Sequence, residues 1–153
     1  MLARINEIKR YLNTIFIERE NQINGIIASV IAGENALLLG GAGVAKSALI
    51  NGLAETFTGA KYFQWLLTKY TVPEELFGSL SLKELEMGIY RRNVSGKLPE
   101  AHISFVDEIF KANSAILNTM LTILNERVFH NNGSPMQCPL ISMFGASNEL
   151  PEA

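Results

Sequence analysis

The chain has 153 residues, which is the length of about one domain. Hydrophobic residues make up 48% of it and charged residues 18%, which excludes a disordered chain and provides enough apolar material for one packed core. The formal net charge of −2 excludes a broad electrostatic attraction to nucleic acid or to anionic membranes, and we predict neither as a partner.

The lone cysteine, Cys138, permits no internal disulfide and favours a reducing compartment, so we expect a cytoplasmic protein. The first residues lack the apolar segment of a secretory signal. Residues 26–50 are largely apolar, but Glu34, Asn35 and Lys46 interrupt them, whereas a spanning helix needs about 20 consecutive apolar residues. We therefore predict no membrane span here, and instead two elements joined by a turn.

A helical lead-in is predicted over residues 1–33. Apolar residues recur there at helical spacing in two stretches, and Gly33 follows the second stretch, where a C-cap glycine belongs. The continuous apolar run Ala36–Leu39 then predicts a strand buried on both faces, as in parallel sheets. From Ser47 onwards the pattern is helical again.

The rest of the chain continues the alternation of strands and helices. Residues 61–71 predict a second strand with its exit loop, and residues 103–106 predict a third. Residues 113–127 have the pattern of an amphipathic helix, and after a turn at 131–133 the run 140–144 predicts a fourth strand. This alternation indicates a three-layer α/β fold with a parallel sheet.

A glycine-rich sequence, GGAGVAKS, lies between the first strand and the following helix, at residues 40–47. Glycines open such a loop so that backbone N–H groups can point at phosphate oxygens, and the helix directs its positive N-terminal end at the same anion. Lys46 would reach the β- and γ-phosphates of ATP, and the Ser47 hydroxyl would bind Mg²⁺. The alternative is an ordinary glycine-rich turn between a strand and a helix.

The strict phosphate-loop pattern has glycine directly before the lysine, where this chain has Ala45. We expect the methyl group to be tolerated because this residue can keep a negative φ in the first helical turn. The expected nucleotide contacts are Gly40, Gly41, Ala42, Gly43, Val44, Ala45, Lys46, Ser47 and Ala48.

Two acids end the third strand. Asp107, at the carboxyl end, is placed to hold the hydration shell of Mg²⁺, and Glu108 beside it can orient and deprotonate an attacking water. The alternative is a plain helix-start signal, since acids favour helix N-termini. Together with Lys46 and Ser47, the pair favours a nucleotide site.

An asparagine, Asn148, follows the fourth strand. Its uncharged amide could hydrogen-bond both the γ-phosphate and the water held by Glu108, which predicts a catalytic role. The alternative is an asparagine that forms a turn before Pro151.

These motifs and the runs around them make the sequence similar to the MoxR group of AAA+ ATPases, and most similar to its RavA branch. The resemblance extends from about residue 19 to residue 152, and its most specific runs are LLTKYTVPEELFG, SGKLPEAHISFVDEIFKANSAILNTMLTILNER and GASNELPE. Alanine before the lysine is usual in this group, whereas Gly41 and Ala42 replace two prolines often found there.

The resemblance implies an AAA+ core that uses ATP and Mg²⁺, assembles as a homo-hexameric ring and works as a chaperone-like remodeller. It also implies a partner protein with a von Willebrand factor A domain, and an additional hairpin at residues 79–98 near the ring's pore. Arg91, Arg92 and Lys97 lie in that segment beside acidic residues, so we expect a solvated surface of mixed charge there.

Relatives in this group continue beyond the asparagine motif with another strand, an arginine that reaches the neighbouring subunit's γ-phosphate, and a helical lid. We therefore expect residues 1–153 to form a partial domain that lacks the last strand and the lid, with Ala36–Leu39 as an apolar edge strand. A trans-acting arginine contributes roughly 10³–10⁵ in kcat, so we expect ATP binding with weak hydrolysis.

Two alternative functions stay open, and so does the role of Arg127. The chain could be a non-catalytic nucleotide-binding fragment, or, less favoured, the core of an enhancer-binding transcription activator. The sequence FTGA at residues 57–60 is similar to the loop by which such activators contact their polymerase factor, but it precedes the second strand instead of lying within the helix insert. Arg127 could complement its helix dipole or sense a neighbour's nucleotide.

Overall fold

The computed structural model describes residues 2–41 and 43–148. The strands are Ala36–Leu39 (β1), Tyr62–Leu66 (β2), Ile103–Asp107 (β3), Val128–Asn131 (β4), Ser134–Gln137 (β5) and Ser142–Ser147 (β6). The helices are Leu2–Ile15 (α1), Glu20–Ala32 (α2), Lys46–Glu55 (α3), Pro73–Phe77 (α4), Leu82–Leu85 (α5) and Ser114–Glu126 (α6). Short 3₁₀ turns span Leu98–Glu100 and Ile109–Lys111.

Four strands form one parallel sheet in the order β1-β6-β3-β2. β6, the last of these strands in the sequence, therefore lies between β1 and β3. Its register pairs Leu39 of β1 with Ser147, and Val106 of β3 with Gly145. The carboxyl ends of all four parallel strands consequently lie at one edge of the sheet, which is where ligands bind in open α/β folds.

Side chains of the central strands alternate between two hydrophobic cores, one on each face of the sheet. Ile103 and Phe105 of β3 face the core formed with α1, α2 and α3, together with Phe144 of β6. Val106 of β3 and Met143 of β6 face the other core, formed with α4, α6 and the β4–β5 hairpin. The observed architecture is therefore the predicted three-layer α/β fold with a parallel sheet.

The ends of two helices have the capping residues that the sequence provides. Gly33 ends α2 in the left-handed conformation, with φ of 70°, as a C-cap glycine does. Asn113 begins α6: its Oδ1 accepts the N–H of Ile116 at 3.0 Å, and its Nδ2 donates to the carbonyl of Thr71 at 3.1 Å. The cap of α6 thus also secures the loop that follows β2.

In the C-terminal half, the predicted turn is confirmed, but one strand is displaced and a hairpin was missed. The fourth predicted strand, 140–144, is observed as β6 at Ser142–Ser147, so Ser147 ends the strand instead of following it. The strand continues through the small residues after Phe144 because Gly145 pairs with both neighbouring strands and the next two residues pair with β1. The predicted turn at 131–133 joins β4 and β5, an antiparallel hairpin that the sequence analysis did not predict.

The segment 79–98 contains α5 and an isolated antiparallel bridge between Leu80 and Arg92. The side chain of Asn131 pairs with the backbone of Arg92 like a neighbouring strand: Oδ1 accepts the N–H at 2.7 Å and Nδ2 donates to the carbonyl at 3.0 Å. The Arg92 guanidinium donates to Glu74 Oε1 at 2.9 Å and to the Gly78 carbonyl at 2.8 Å. Arg92 therefore ties this segment to α4 instead of being the solvated charge that we expected.

Candidate functional site

The three sequence motifs meet at the carboxyl edge of the sheet. The glycine-rich loop follows β1, Asp107 ends β3, and Asn148 directly follows β6. Because β6 lies between β1 and β3, Asn148 lies between the loop and the acidic pair. The strand order thus brings together residues from three separate parts of the sequence.

Lys46 is the first residue of α3, and its ammonium group points back over the loop and towards β6. Nζ donates to Asn148 Oδ1 at 2.7 Å and to the Ser147 carbonyl at 3.3 Å. It also hydrogen-bonds to the carbonyls of Gly40 and Gly41. The lysine is therefore held at the centre of the site by oxygen atoms that an incoming phosphate can replace.

Asn148 connects Lys46 to the acidic pair. Its Nδ2 donates to Glu108 Oε1 at 2.7 Å, while its Oδ1 accepts from Lys46. An ionised carboxylate only accepts and an ammonium only donates, so the amide has one orientation that satisfies both neighbours. Lys46, Asn148 and Glu108 form a continuous hydrogen-bonded chain across the site.

The backbone at the acidic pair is turned sharply after β3. Glu108 has φ of 55° and ψ of 44°, in the left-handed region that a non-glycine residue adopts at a cost of about 1–2 kcal/mol. The N–H of Glu108 donates to Asp107 Oδ1 at 3.0 Å. Such local strain is typical of functional sites, and here it accompanies a carboxylate directed at Asn148.

The conformation of Ala45 contradicts the sequence-based prediction. We expected a negative φ in the first helical turn, but Ala45 lies just before α3 and has φ of 58° and ψ of 27°, in the left-handed region. Gly43 also has a positive φ, of 79°. The loop must reverse sharply to lead from β1 into α3, and this geometry overrides the usual preference of alanine.

The start of α3 fits an anion. Ala45, the N-cap residue, has no side-chain acceptor for the first N–H groups of the helix. The first turn of an α-helix leaves these groups without intrahelical partners, and the helix dipole adds positive potential at the same place. A bound phosphate group would satisfy the N–H groups of the first turn, which include those of Lys46, Ser47 and Ala48.

The predicted Mg²⁺ ligands are hard oxygen donors of the kind this ion prefers. Ser47 lies in the first turn of α3, and Asp107 lies at the end of β3, so both are at the carboxyl edge of the sheet. Among residues 2–41 and 43–148, no cluster of three or more His, Cys, Asp or Glu side chains could hold a metal ion. Magnesium would therefore depend on Ser47, water molecules and phosphate oxygens, with Asp107 acting on its hydration shell.

The remaining predicted contacts belong to the same loop. Gly40, Gly41, Gly43 and Val44 follow β1, and Gly40 is tied to β6 by a hydrogen bond from its N–H to the Ser147 carbonyl at 3.3 Å. Ala42 lies outside the described residues.

Two residues near the site were missed by the sequence analysis. Lys111 places its Nζ 3.3 Å from Glu108 Oε2, and the Glu108 side chain is only 15% exposed. Gly145 of β6 allows the turn after Glu108 to pack closely, since a Cβ there would lie 3.0 Å from Ile109 Cδ1. A basic residue three positions after the glutamate was the available signal for Lys111, whereas Gly145 depends on strand packing that the sequence does not reveal.

Arg127 lies far from this edge of the sheet. It ends α6, and its guanidinium donates to the carbonyl of Gly33 at 2.9 Å, to that of Ile141 at 3.4 Å, and to carbonyls of the last turn of α6. Gly33 precedes β1 and Ile141 precedes β6, so these contacts lie at the amino ends of the strands. Of the two roles considered, complementing helix C-termini agrees with this position.

Three other residues that can titrate have contacts or burial that indicate a structural role. His102 Nδ1 accepts the N–H of Lys61 at 2.9 Å, at the amino end of β3. Cys138 is buried, and burial raises the pKa of its thiol. Burial also raises the pKa of Tyr62, whose hydroxyl donates to Gln64 Oε1 at 3.1 Å.

Within the described ranges, no helix has the length and apolar character that crossing a membrane requires.

The fold is shared with a protein of known structure. The chain superimposes on the crystal structure of a "putative ATPase" from Cytophaga hutchinsonii with a TM-score of 0.77 and 17% identity, over 99% of this chain and 45% of that one. At this level of identity the likeness concerns the fold alone, an α/β fold with a parallel sheet.

The chain belongs to the MoxR family of AAA+ ATPases: residues 3–153 match the family model of the "MoxR domain in the MoxR-vWA-beta-propeller ternary systems". Nucleotide and Mg²⁺ use is general among AAA+ ATPases.

Three curated proteins are similar to it along nearly its whole length. Two are uncharacterized proteins of Methanocaldococcus jannaschii, MJ0079 and MJ0812, with 48% and 49% identity over 99% and 97% of this chain. The third is structural protein ORF618 of Acidianus two-tailed virus, with 27% identity over 98% of this chain. The chain spans 40% of each archaeal protein and 25% of the viral one.

Proposed function

We propose that this chain binds Mg²⁺–ATP in the loop at residues 40–47 and hydrolyses it to ADP and phosphate. The observation that carries the proposal is the hydrogen-bonded chain Lys46–Asn148–Glu108, which joins the loop lysine to an acidic residue through an amide. In this arrangement Lys46 provides a cation for the phosphates and Glu108 provides a base for the attacking water, with Asn148 hydrogen-bonded to both.

In this mechanism the phosphates replace Asn148 and the loop carbonyls as acceptors for Lys46. The attacking water takes the place next to Glu108 Oε1, with Asn148 free to hold both the water and the γ-phosphate. Glu108 accepts a proton from the water, the water oxygen bonds to the γ-phosphorus, and the bond to the bridging oxygen breaks, with ADP as the leaving group. Mg²⁺ would neutralise the charge that develops on the phosphate oxygens.

We further propose that the chain is the core of a chaperone-like remodelling ATPase of the RavA type, which works as a homo-hexamer. The description of the matching family model names von Willebrand factor A and β-propeller proteins, which supports a partner with a von Willebrand factor A domain. The sequence runs 66–78 and 95–127 support the RavA assignment. The same proposal treats the chain as a single AAA+ domain that carries an extra hairpin at residues 79–98.

A second candidate function is nucleotide binding without turnover. Each carboxylate oxygen of Glu108 already has a partner in this conformation, Asn148 on Oε1 and Lys111 on Oε2, and the side chain is only 15% exposed. If nucleotide does not displace Asn148 from Glu108, the carboxylate stays engaged and the chain would bind nucleotide without hydrolysing it.

The two candidates are separated by steady-state ATP turnover of the chain and of its Glu108→Gln variant. The ATPase proposal expects a turnover that falls by roughly 10²–10⁴ in the variant, since the glutamine cannot accept the proton. Equal rates in the two proteins, with ATP still bound, would leave only the binding module.

Binding itself is tested with Lys46→Ala and a fluorescent ATP analogue. We expect the variant to lose detectable affinity, because the cation that faces the phosphates is gone. Lys61→Ala is the matched control: Lys61 pairs with Glu100 at 2.9 Å near the amino end of β3, away from the loop. Unchanged affinity in Lys46→Ala would refute the assignment of the loop.

A further inference from the structure

The carboxylate of Glu108 is held on both sides. Asn148 Nδ2 lies 2.7 Å from Oε1, and Lys111 Nζ lies 3.3 Å from Oε2. The Glu108 side chain is 15% exposed, whereas that of Lys111 is 48% exposed. The base that the proposed mechanism uses is therefore mostly shielded from solvent and has a cation on the side away from Asn148.

The position of Lys111 is fixed by its backbone. The N–H of Lys111 donates to the Glu108 carbonyl at 2.8 Å and closes the 3₁₀ turn Ile109–Lys111. Ile109 packs against Gly145 of β6, where even a Cβ atom would come within 3.0 Å. The turn thus packs on β6, the strand that leads to Asn148, so both groups that hold Glu108 are connected to this strand.

We propose that Lys111 is a positioning residue for Glu108. Its ammonium group holds Oε2, so that Oε1 stays directed towards Asn148 and the space where a nucleotide's γ-phosphate would lie. When Lys46 turns to the phosphates, Asn148 is released and Oε1 becomes available to water, while Oε2 stays on Lys111. This inference rests on the proposed ATP hydrolysis and adds a residue to it.

An ordinary surface ion pair is the competing explanation. Lys111 and Glu108 are three residues apart, and exposed pairs of this kind contribute about 0–1 kcal/mol to stability and nothing to catalysis. The Lys61–Glu100 pair, between residues 39 positions apart, is another ion pair at the surface, with side chains 60% and 33% exposed. The shielded carboxylate of Glu108, which also contacts Asn148, distinguishes the Lys111 pair from it.

The test compares Lys111→Met and Lys111→Arg with the unmodified chain, with Lys61→Met as the control that removes an exposed ion pair. The measurements are kcat and KM for ATP, affinity for a fluorescent ATP analogue, and Tm. A small misplacement of a catalytic group costs about 10²-fold, so we expect kcat of Lys111→Met to fall roughly 10- to 100-fold. KM, nucleotide affinity and Tm should stay unchanged, Lys111→Arg should recover most of the rate, and Lys61→Met should match the unmodified chain.

Each other outcome has a defined meaning. If the unmodified chain turns over no faster than Glu108→Gln, the proposed hydrolysis fails and this inference fails with it. If the unmodified chain is active and Lys111→Met keeps its kcat, only the positioning role is refuted. A joint loss of kcat, nucleotide affinity and Tm that Lys111→Arg does not repair would show a structural role and would also refute it.

Discussion

The ammonium of Lys46 donates a hydrogen bond to Asn148 Oδ1 across 2.7 Å, although the two residues are 102 positions apart in the sequence. The amide nitrogen of Asn148 donates in turn to Glu108. Only a side chain that accepts on one side and donates on the other fits between an ammonium and a carboxylate. This requirement explains why an asparagine occupies the position after β6.

Replacing Asn148 tests this explanation directly. Asn148→Asp has the same shape but faces Glu108 with a second carboxylate, which repels it and adds negative charge beside the triphosphate. Asn148→Ala removes the link without adding charge. We expect ATP turnover to fall at least roughly tenfold in Asn148→Ala and further in Asn148→Asp, because a lost hydrogen-bond donor to developing transition-state charge costs up to about 10²–10³ in kcat. Turnover in Asn148→Asp equal to that of the unmodified chain would contradict the role of the amide.

A second prediction concerns Ala45, whose φ is 58°. An L-residue in this conformation costs about 1–2 kcal/mol, which glycine avoids, although glycine also gains entropy in the unfolded chain. We expect Ala45→Gly to leave the free energy of unfolding unchanged or to raise it by up to about 1 kcal/mol. Denaturant unfolding measures the change.

Ala48→Gly is the matched control, since Ala48 lies in the first turn of α3 and is exposed. Glycine inside a helix costs about 1 kcal/mol relative to alanine, so this variant should be less stable. If both variants lose the same stability, Ala45 does not adopt the left-handed conformation.

The sequence predicts the strands and helices around the site well, because their apolar patterns are local. β1, β3 and α6 each lie within a residue or two of the predicted ranges. The order of strands is not local: β6 lies between β1 and β3 because of packing between distant segments. The sequence analysis placed Asn148 at the site because this amide follows a predicted strand, and the strand order supplies the physical reason.

The errors also have physical causes. The residues at 145–147 are Gly-Ala-Ser, which have little intrinsic strand preference, so the end of β6 is determined by pairing with β1. In the hairpin, Pro135 lies within β5 opposite His130, and a proline within a run argues against a strand. Ala45 was assigned the conformation its side chain prefers, whereas the turn from β1 into α3 determines its φ.

A third prediction concerns Arg127, whose guanidinium contacts carbonyls at the ends of α2 and α6 and before β6. Hydrogen bonds to a charged group contribute about 1.5–3 kcal/mol, and losing them leaves several carbonyls unsatisfied. We expect Arg127→Met to lower Tm by about 5–10 °C for a domain of this size. Nucleotide affinity should not change, since the contacts lie at the opposite edge of the sheet.

Arg4→Met is the control for that experiment. Arg4 contacts Glu7 at 3.3 Å, with both side chains about 70% exposed, and its loss should change Tm little. A loss of nucleotide affinity in Arg127→Met at unchanged Tm would contradict the structural role and favour the sensing role.

A fourth prediction compares two glycines with positive φ. Gly78 has φ of 95°, and a Cβ there would lie 1.9 Å from the carbonyl oxygen of Asn93. Gly88 has φ of 75°, with no atom within 4 Å of a Cβ. Gly78→Ala combines backbone strain with a collision against backbone, so we expect it to cost about 3 kcal/mol or more. Gly88→Ala should cost only about 1–2 kcal/mol. Equal losses of stability would show that segment 79–98 does not pack on the end of α4 as described.

The last prediction concerns the pH dependence of stability. The hydrogen bond from Arg92 holds the pKa of Glu74 below its ordinary value of 4.5, assisted by a backbone N–H. A carboxyl group whose pKa is lowered on folding stabilises the protein above its unfolded pKa, and this contribution is lost as pH falls through the folded pKa. Glu74 is 45% exposed, so the contribution is screened and should stay below about 1 kcal/mol.

Glu74→Gln removes this charge while keeping the shape of the side chain. We expect the variant to have a lower Tm than the unmodified chain at pH 7. The difference should shrink as the pH falls below 4.5 and reach zero once the pH is below the lowered pKa of Glu74 in the folded protein. Glu86→Gln is the control, because Glu86 follows α5 and no ion pair to it is found within the described ranges. Its Tm should track that of the unmodified chain at every pH. A Tm difference for Glu74→Gln that persists unchanged at low pH would mean that packing, and not the charge facing Arg92, connects this residue to the stability of the fold.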